Sequence, residues 1–221
     1  MSTLTLIIGN KAYSSWSLRP WLLLKQAGIP FTEKRIPIYT QEWQEAIGHI
    51  LPAGKVPVLC DGDLTVWDTL AICEYLAESF PDQQLWPSDR TARAVARAVS
   101  AEMHSSFADL RHNMNMNCRK SLPGLGRAPG VQEDIDRITA LWHDCRTRFG
   151  AGGEMLFGRF SIADAMYAPV ATRFTTYGVP LDPLCNAYVQ ALYALPAMQQ
   201  WIAEAHAETE VIEQYEHNVA D

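Results

Sequence analysis

A proline interrupts a short apolar segment in the first third of the chain. Residues 56–59 read Val-Pro-Val-Leu, a composition that is typical of a buried strand. Because proline has no N–H to donate, it does not fit a ladder position in a central strand. We therefore expect the strand to begin at Pro57, after a bend that can use a cis peptide bond. Such a bend leaves the N–H and C=O of Val56 without partners in the sheet, so they can face a bound peptide.

Asp68 and Thr69 stand at the start of a predicted helix that runs to Ser79. The N–H groups and the dipole at a helix N-terminus favour an anion. Together with the bend at Val56, this pattern predicts a site for a peptide-like ligand that carries a carboxylate.

Three serines, Ser14, Ser15 and Ser17, lie where a first strand gives way to a first helix. A hydroxyl at this point feels the helix dipole, and neighbouring N–H groups can stabilise a thiolate. With no histidine base nearby in sequence, such a serine suits donation of a hydrogen bond to a ligand's sulfur better than acyl transfer. The alternative is that the serines only cap the helix, with Ser17 as the N-cap, and solvate a turn. Their coincidence with the bend at Val56 favours the sulfur-binding interpretation.

The order of predicted elements is β-α-β-α-β-β-α within residues 1–80, with a hairpin turn at Asp61-Gly62-Asp63. That order makes a small mixed sheet with helices, so the fold class is α/β for this part. A polar, proline-marked linker follows at 81–90. Beyond it we predict an all-helical domain at 91–221, with helices over 91–111, 131–149, 161–177, 188–195 and 198–207.

The net charge of −7, without a lysine- or arginine-rich run, argues against nucleic acid or an anionic membrane as the main partner. No segment has the roughly 20 apolar residues of a membrane span, and the N-terminus lacks the basic flank of a signal peptide. The five cysteines form no C-x-x-C pair, and the histidines show no ligand spacing. We therefore expect a cytoplasmic protein with free thiols and no metal.

Four segments, in this order along most of the chain, carry a specific resemblance. They are Ser14–Arg19 with Ala27-Gly28-Ile29, then Gly54–Leu59, then Asp68–Leu76, and finally the capping box Ser161–Asp164. Together they resemble the glutathione S-transferases, and the serine-rich segment is similar to that of the zeta class, the maleylacetoacetate isomerases. The resemblance implies a thioredoxin-like N-terminal domain followed by a C-terminal helical bundle, with glutathione as co-substrate.

At the sulfur of glutathione, the resemblance implies that the hydroxyl of Ser14 faces the thiol, with Ser15 or Ser17 as alternatives. Activation then means lowering the pKa of the thiol from about 8.5 toward neutrality. No cysteine occupies this turn, which disfavours thiol transfer through a mixed disulfide.

Along the rest of glutathione, the resemblance implies four contacts. The backbone of Val56 binds the cysteinyl unit, and Lys55 pairs with the glycyl carboxylate. Asp68 attracts the ammonium of the γ-glutamyl unit, while the hydroxyl and N–H of Thr69 bind its carboxylate. Asp68-Thr69 stands where the family usually has Glu or Gln followed by Ser.

The second-substrate pocket is expected at two places in the sequence. Trp16 replaces the cysteine of the zeta class, and its bulk reshapes that pocket. In the helical domain, the segment 111–119 contains three asparagines that alternate with two methionines, which fits poorly with a plain core helix. We expect Arg111, Asn115 and Arg119 to receive a carboxylate-bearing electrophile there. A frayed helix end packed against the first domain is an equally good interpretation of this segment.

The predicted function is that of a glutathione S-transferase, acting in detoxification as a homodimer. It would add the glutathione thiolate to an electrophilic carbon of a small molecule, or isomerise the molecule by addition and elimination. The alternative is a non-catalytic glutathione-binding or scaffold protein with the same fold.

Overall fold

A four-stranded mixed sheet forms the first part of the structure, a computed structural model that describes residues 4–216. The strand order is β2-β1-β3-β4, with β1 parallel to β2 and antiparallel to β3, and with β3 antiparallel to β4. The strands are β1 (Leu4–Ile8), β2 (Phe31–Arg35), β3 (Val58–Asp61) and β4 (Leu64–Trp67). The predicted α/β class with a small mixed sheet is confirmed.

The bend before β3 has the predicted form, because the Val56–Pro57 peptide bond is cis. Strand β3 begins at Val58, one residue later than expected, and pairs with β1 from Ile7–Val58 onward. Val56 therefore lies outside the ladder. At the other end of β3, Asp61 pairs with Leu64 across a two-residue turn, which is the predicted hairpin.

Helices connect and cover these strands, and the rest of the described chain consists of helices, turns, loops and isolated β-bridges. With the sheet come α1 (Ser15–Gln26), α2 (Gln41–Ala46) and α3 (Thr69–Ser79). After a 3₁₀ turn at Pro81–Gln83 come α4 (Arg90–Ser105), α5 (Ala108–Asn113), α6 (Val131–Phe149), α7 (Ile162–Thr176), α8 (Pro183–Ala194) and α9 (Pro196–Ala207). The boundary between two domains at 81–90 stays a prediction.

Helix α7 is the centre of the helical part. All of its residues except Thr175 are buried, and α1 and α4 both pack against it. The ring of Trp142 on α6 lies against Tyr167 and Phe174 of α7 and against Tyr188 of α8, with ring centroids 4.9 to 5.9 Å apart. Burial of this much apolar surface fixes α7, and so fixes any side chain that α7 presents to a cleft.

The predicted capping box at the start of α7 is confirmed. The Asp164 carboxylate accepts hydrogen bonds from the N–H of Ser161 at 2.8 Å and from the Ser161 hydroxyl at 3.0 Å. It also accepts from the N–H of Leu156 at 3.0 Å and from the hydroxyl of Tyr188 at 3.1 Å. Burial raises the pKa of Asp164 to about 6, while these donors act in the opposite direction. One buried carboxylate thus joins α7, α8 and the preceding loop.

The prediction of one helix over 91–111 is wrong. The helix ends at Ser105, and a second helix begins at Ala108. Between them Phe107 has φ +61, a left-handed conformation that breaks the helix, and its side chain is buried in the core. The Asp134 carboxylate accepts from the N–H of Leu110 in the first turn of the new helix. The core position of the Phe107 ring outweighs the local preference for a continuous helix.

Other helix boundaries differ less. Helix α6 has the predicted bounds, whereas α8 begins at Pro183, five residues before the predicted Tyr188. Proline is favoured in the first turn of a helix, and the Asp182 carboxylate caps this one.

All five cysteines are free thiols, as predicted. Burial raises the pKa of four of them, Cys73, Cys118, Cys145 and Cys185, so these thiols stay protonated at neutral pH and are poor nucleophiles. Among residues 4–216, no helix is long and apolar enough to cross a membrane.

Candidate active site

Two clefts lie where the loops at one end of the sheet meet the helical part. The larger encloses about 850 Å³ between the β1–α1 turn, the loop before β3, helix α5 and the C-terminal segment. The smaller encloses about 430 Å³ beside the start of α3 and the end of α4. Four residues line both clefts: Trp16, Lys55, Val56 and Arg111. The site residues predicted from the sequence line one of the clefts, except Arg119 and the alternative serine Ser17.

The serine turn begins helix α1, with Ser14 rather than Ser17 as the N-cap. Ser14 and Ser15 line the larger cleft, whereas Ser17 is fully buried beneath them. The Ser17 hydroxyl accepts from the N–H of Gly9 at 3.2 Å and lies 2.7 Å from the Ser14 hydroxyl. Ser17 therefore cannot face a ligand's sulfur, and this alternative is wrong.

The contacts of Ser17 also determine where the Ser14 hydroxyl can donate. A buried hydroxyl needs an acceptor for its proton, and among residues 4–216 the Ser14 oxygen, 2.7 Å away, can accept the proton of Ser17. The Ser14 hydroxyl proton is then free to point into the cleft. Successive donation from Gly9 to Ser17 and from Ser17 to Ser14 polarises the last hydroxyl in the chain.

Arg173 of α7 supplies a positive charge beside these hydroxyls, and sequence reasoning missed it. Arg173 is 4% exposed, and its guanidinium donates to the carbonyls of Met114 at 2.8 Å and Pro169 at 3.1 Å, and to the Ser15 hydroxyl at 3.4 Å. Burial, and then the charge of Arg111, lower the pKa of Arg173 to about 10, so it remains a cation at neutral pH.

Two further arginines enclose Trp16. The guanidinium of Arg19 lies 4.2 Å from the Trp16 ring and that of Arg111 lies 4.9 Å from it. Burial lowers the pKa of both arginines, and Arg173 and Arg111 lower that of Arg19 further by repulsion. Within residues 4–216, none of the three arginines forms an ion pair with a carboxylate. The turn around Ser15 therefore holds excess positive charge, which favours a thiolate or another anion.

Two residues that the sequence predicts to contact a peptide lie together at one side of the clefts. Val56 and Lys55 line both clefts, just outside the β3 ladder. The Lys55 side chain is exposed, so it can move toward an anion. A backbone segment that is not paired in the sheet can form hydrogen bonds with a peptide in the manner of an added strand.

At the start of α3, the side chains of Asp68 and Thr69 already have hydrogen-bond partners within the protein. Asp68, at φ +75, caps the helix by accepting from the N–H groups of Leu70 and Ala71, and its other oxygen lies 2.7 Å from Nε2 of His104. The Thr69 hydroxyl donates to the carbonyl of Trp16 at 3.0 Å. That hydroxyl is therefore not free to donate to a ligand carboxylate. The N–H of Thr69, in the first turn of α3, has no acceptor within the helix and remains suited to that role.

Comparison with known proteins identifies the family of this chain. The family model described as "Glutathione S-transferase, N-terminal domain" matches residues 13–79. A relative from Caenorhabditis elegans named "Probable maleylacetoacetate isomerase" is 30% identical over 188 residues, which cover 83% of this chain and 85% of the relative. The chain belongs to the glutathione S-transferase family.

Other members of the glutathione S-transferase family agree with this assignment. The "Maleylacetoacetate isomerase" of Rattus norvegicus is 28% identical over 194 residues, covering 84% of this chain and 85% of the relative. A crystal structure of a glutathione transferase homologue from Burkholderia GL BGR1, with bound glutathione, superimposes with a TM-score of 0.69 at 24% identity, covering 93% of this chain and 98% of that one. At that identity the structural likeness shows the fold alone.

The segment 111–119 of this glutathione S-transferase divides between the two interpretations left open by the sequence. Arg111 and Asn115 line the larger cleft, and their role in a second-substrate pocket stays a prediction. Arg119 does not line the cleft, and its placement there is wrong. It donates to the carbonyls of Glu208 at 2.7 Å and Glu210 at 2.9 Å, and to the hydroxyl of Tyr13. Arg119 holds the C-terminal segment instead of a ligand.

Three residues that sequence reasoning left out of the site come from distant parts of the chain. Arg173 carries a signal, since it is a single cation in an otherwise apolar and uncharged stretch of α7 after Asp164. His104 lies in the last turn of the alanine-rich helix α4, and Tyr215 follows the last long helix. Spacing along the sequence therefore places neither residue at a cleft. Both positions follow from tertiary contacts alone.

Proposed function

We propose that this glutathione S-transferase binds glutathione across the two clefts, with the sulfur at the Ser14 and Ser15 hydroxyls. The cysteinyl unit lies against the backbone of Val56, and the γ-glutamyl unit lies at Asp68 and Thr69. The glycyl carboxylate extends toward Lys55. These assignments rest on the lining of both clefts and on the order of the matching segments in the family.

The observation that carries the proposal is the environment of the serine hydroxyls. They stand at the N-terminus of α1, and Ser15 lies 3.4 Å from the buried guanidinium of Arg173. The helix N-terminus, the Ser14 hydroxyl proton and the arginines all stabilise a negative charge on sulfur more than a neutral thiol. The site therefore lowers the pKa of the glutathione thiol, so that more thiolate is present at neutral pH.

The thiolate then reacts with an electrophile in the larger cleft. Its electron pair forms a bond from sulfur to the electrophilic carbon, and the electrons of the attacked double bond move to a conjugated carbonyl oxygen. Protonation of the resulting enolate completes an addition. Alternatively, the adduct rotates about the former double bond, and expulsion of the thiolate re-forms that double bond and completes an isomerisation. The names of the relatives from Caenorhabditis elegans and Rattus norvegicus support the isomerisation route.

The finer assignments complete the proposal. We place the enzyme in the cytoplasm, with a role in detoxification, as a homodimer. An apolar surface that a second subunit can cover lies on the edge strand β4, where Leu64 is 48% and Trp67 is 50% exposed.

The test replaces the two candidate hydroxyls separately. Ser14→Ala should lower kcat/KM for a generic aromatic electrophile by at least about tenfold, because the thiolate loses its nearest donor. Glutathione affinity, measured by isothermal titration calorimetry, should change by less than about threefold, since the peptide contacts remain.

Ser15→Ala serves as the matched variant in the same turn. A larger loss in Ser15→Ala than in Ser14→Ala would transfer the role to Ser15. If the wild-type protein shows no binding at about 1 mM glutathione, the proposed function is wrong altogether.

A further inference from the structure

Charged contacts hold the C-terminal segment, residues 208–216, beside the larger cleft, and Tyr215 of this segment lines it. The Glu208 carboxylate accepts from the N–H groups of Lys11 at 2.7 Å and Ala12 at 3.0 Å, in the turn that precedes the catalytic serines. Arg35 pairs with Glu210 at 2.7 Å. These contacts attach the segment to the β1–α1 turn and to strand β2.

The far end of the segment is held equally well. The Glu216 carboxylate accepts from the hydroxyl of Tyr13 at 2.6 Å, from the amide of Asn117 at 3.0 Å and from Lys120 at 3.1 Å. Arg119 donates to two carbonyls in between. Because both ends are fixed, the residue just before Glu216, Tyr215, has a defined place in the cleft lining.

Tyr215 completes an aromatic wall, which we define as Tyr13, Tyr39, Trp43 and Tyr215. The rings of Tyr13 and Tyr215 lie 5.8 Å apart, the hydroxyls of Tyr39 and Tyr215 lie 3.4 Å apart, and the rings of Tyr39 and Trp43 lie 6.5 Å apart. All four residues line the larger cleft. The wall combines three separate parts of the chain in one apolar surface.

Tyr39 is the most unusual member of the aromatic wall. The residue is 57% exposed, and its backbone has φ +65, a left-handed conformation that bulky residues rarely adopt. Its contacts with Trp43 and Tyr215 leave more than half of the residue exposed. An exposed aromatic ring held at the mouth of a cleft suits stacking on a flat ligand.

Other parts of the same cleft carry positive charge. Arg111 of α5 and Arg173 of α7 line it, and neither is paired with a carboxylate among residues 4–216. Arginine binds carboxylates well because its planar group offers two parallel donors. The larger cleft therefore combines an apolar, flat surface with cations that lack an anionic partner.

We infer that the second substrate is an electrophile that carries both an aromatic ring and a carboxylate. The ring lies on Tyr39 and Tyr215, and the carboxylate lies toward Arg111, while Arg173 stays beside Ser15 for the thiolate. This inference rests on the proposed function, since glutathione supplies the nucleophile. In the addition, the sulfur–carbon bond forms as the carbon–carbon π bond breaks, and its electron pair moves to the conjugated oxygen. The proton lost from the thiol ends on the carbon next to the carbonyl, and no group leaves.

The experiment compares three electrophiles that react by this same addition. Ethacrynic acid has an aryl enone and a carboxylate, its methyl ester lacks only the charge, and 4-oxopent-2-enoic acid keeps the carboxylate but lacks the ring. After correction for the uncatalysed rates, wild-type kcat/KM should favour ethacrynic acid over each of the others by about tenfold or more.

Variants of the aromatic wall test which residues give that preference. Tyr215→Ala and Tyr39→Ala should each lower kcat/KM for ethacrynic acid by about five- to tenfold, with a much smaller loss for the aliphatic acid. Tyr215→Phe, which keeps the ring, should retain most of the wild-type kcat/KM for ethacrynic acid. Val211→Ala is the matched control, because Val211 is exposed in the same segment and does not line the cleft.

Several results would overturn the inference. One is equal acceleration of the aliphatic and the aryl acid in the wild-type protein, and another is no effect of charge in the acid and ester pair. A third is a loss of glutathione affinity in Tyr215→Ala as large as its loss of turnover, which would assign the wall to glutathione. Failure of the wild-type protein to bind glutathione is a different result, since it removes the proposed function itself. Tyr39→Ala keeps the test valid if Tyr215→Ala does not fold.

Discussion

Ser17 shows how a fully buried residue can determine the chemistry of a neighbour that lines a cleft. It contacts no cleft, yet it accepts from the backbone of Gly9 and leaves its own proton for the Ser14 oxygen. The direction of the Ser14 hydroxyl thus follows from the satisfaction of Ser17. In our account Ser14 is the catalytic hydroxyl and Ser17 is a positioning residue.

Replacement of Ser17 tests this relation at the scale of one hydrogen bond. Ser17→Ala should lower kcat by about three- to tenfold, because Ser14 loses the donor that orients its proton. Since Ser17 touches no ligand, glutathione affinity in calorimetry should stay close to that of the wild type.

Ser17→Thr is the conservative control and should recover part of the rate, because threonine keeps the hydroxyl. The pH profile of kcat distinguishes positioning from simple loss of packing. If Ser17→Ala leaves both the rate and that profile unchanged, the relay has no catalytic role.

The contact between His104 and Asp68 is a second case at the residue scale. The resemblance implies Asp68 as the partner of the γ-glutamyl ammonium, yet one of its oxygens caps α3 and the other lies against an imidazole from α4. Glutathione must share that second oxygen with His104 or displace the imidazole. No pattern in the sequence brings a residue of α4 to the start of α3, so this competition could not be predicted.

At the scale of elements, helix α7 places Arg173 in the lining of the larger cleft, and the Asp164 capping box fixes the start of that helix. The box could be predicted because its residues lie three apart and each satisfies the other's backbone. The two bonds from Leu156 and Tyr188 could not, since they depend on how the loop and α8 pack.

Asp164→Ala should lower the free energy of unfolding by about 3–5 kcal/mol, because it leaves several buried donors without an acceptor. Urea denaturation at neutral pH measures the change. Asp182→Ala removes an N-cap carboxylate of α8 that is partly exposed, and should cost only about 1 kcal/mol. Equal losses in the two variants would contradict the view that Asp164 joins three elements.

The helix break at Phe107 marks the limit of sequence reasoning for elements. Alanine-rich periodicity predicts one helix through 91–111, and nothing local forbids it. The break depends on the burial of one ring and on the Asp134 cap from another helix. That break starts α5 anew at Ala108 and so sets the face on which Arg111 meets the cleft.

At the scale of the whole molecule, the predictable half of the site is the half that local motifs build. The serine turn, the bend at Val56 and the start of α3 each have a physical signature within a few residues, and the fold brings them to adjoining clefts. The other half comes from α4, α5, α7 and the C-terminal segment. Its members, such as Arg173 and Tyr215, reach the site through packing across the whole chain, which spacing along the sequence does not reveal.

The central claim is that the site stabilises the glutathione thiolate, and titration of the bound thiol tests it most directly. Ultraviolet difference absorbance of the thiolate, recorded against pH with saturating glutathione, reports the pKa of the bound thiol. Free glutathione has the ordinary thiol pKa of about 8.5–9. We predict a value at least about one unit lower in the wild-type complex, and a return toward the free value in Ser14→Ala. A bound thiol that titrates with the pKa of free glutathione in the wild-type protein would contradict the account.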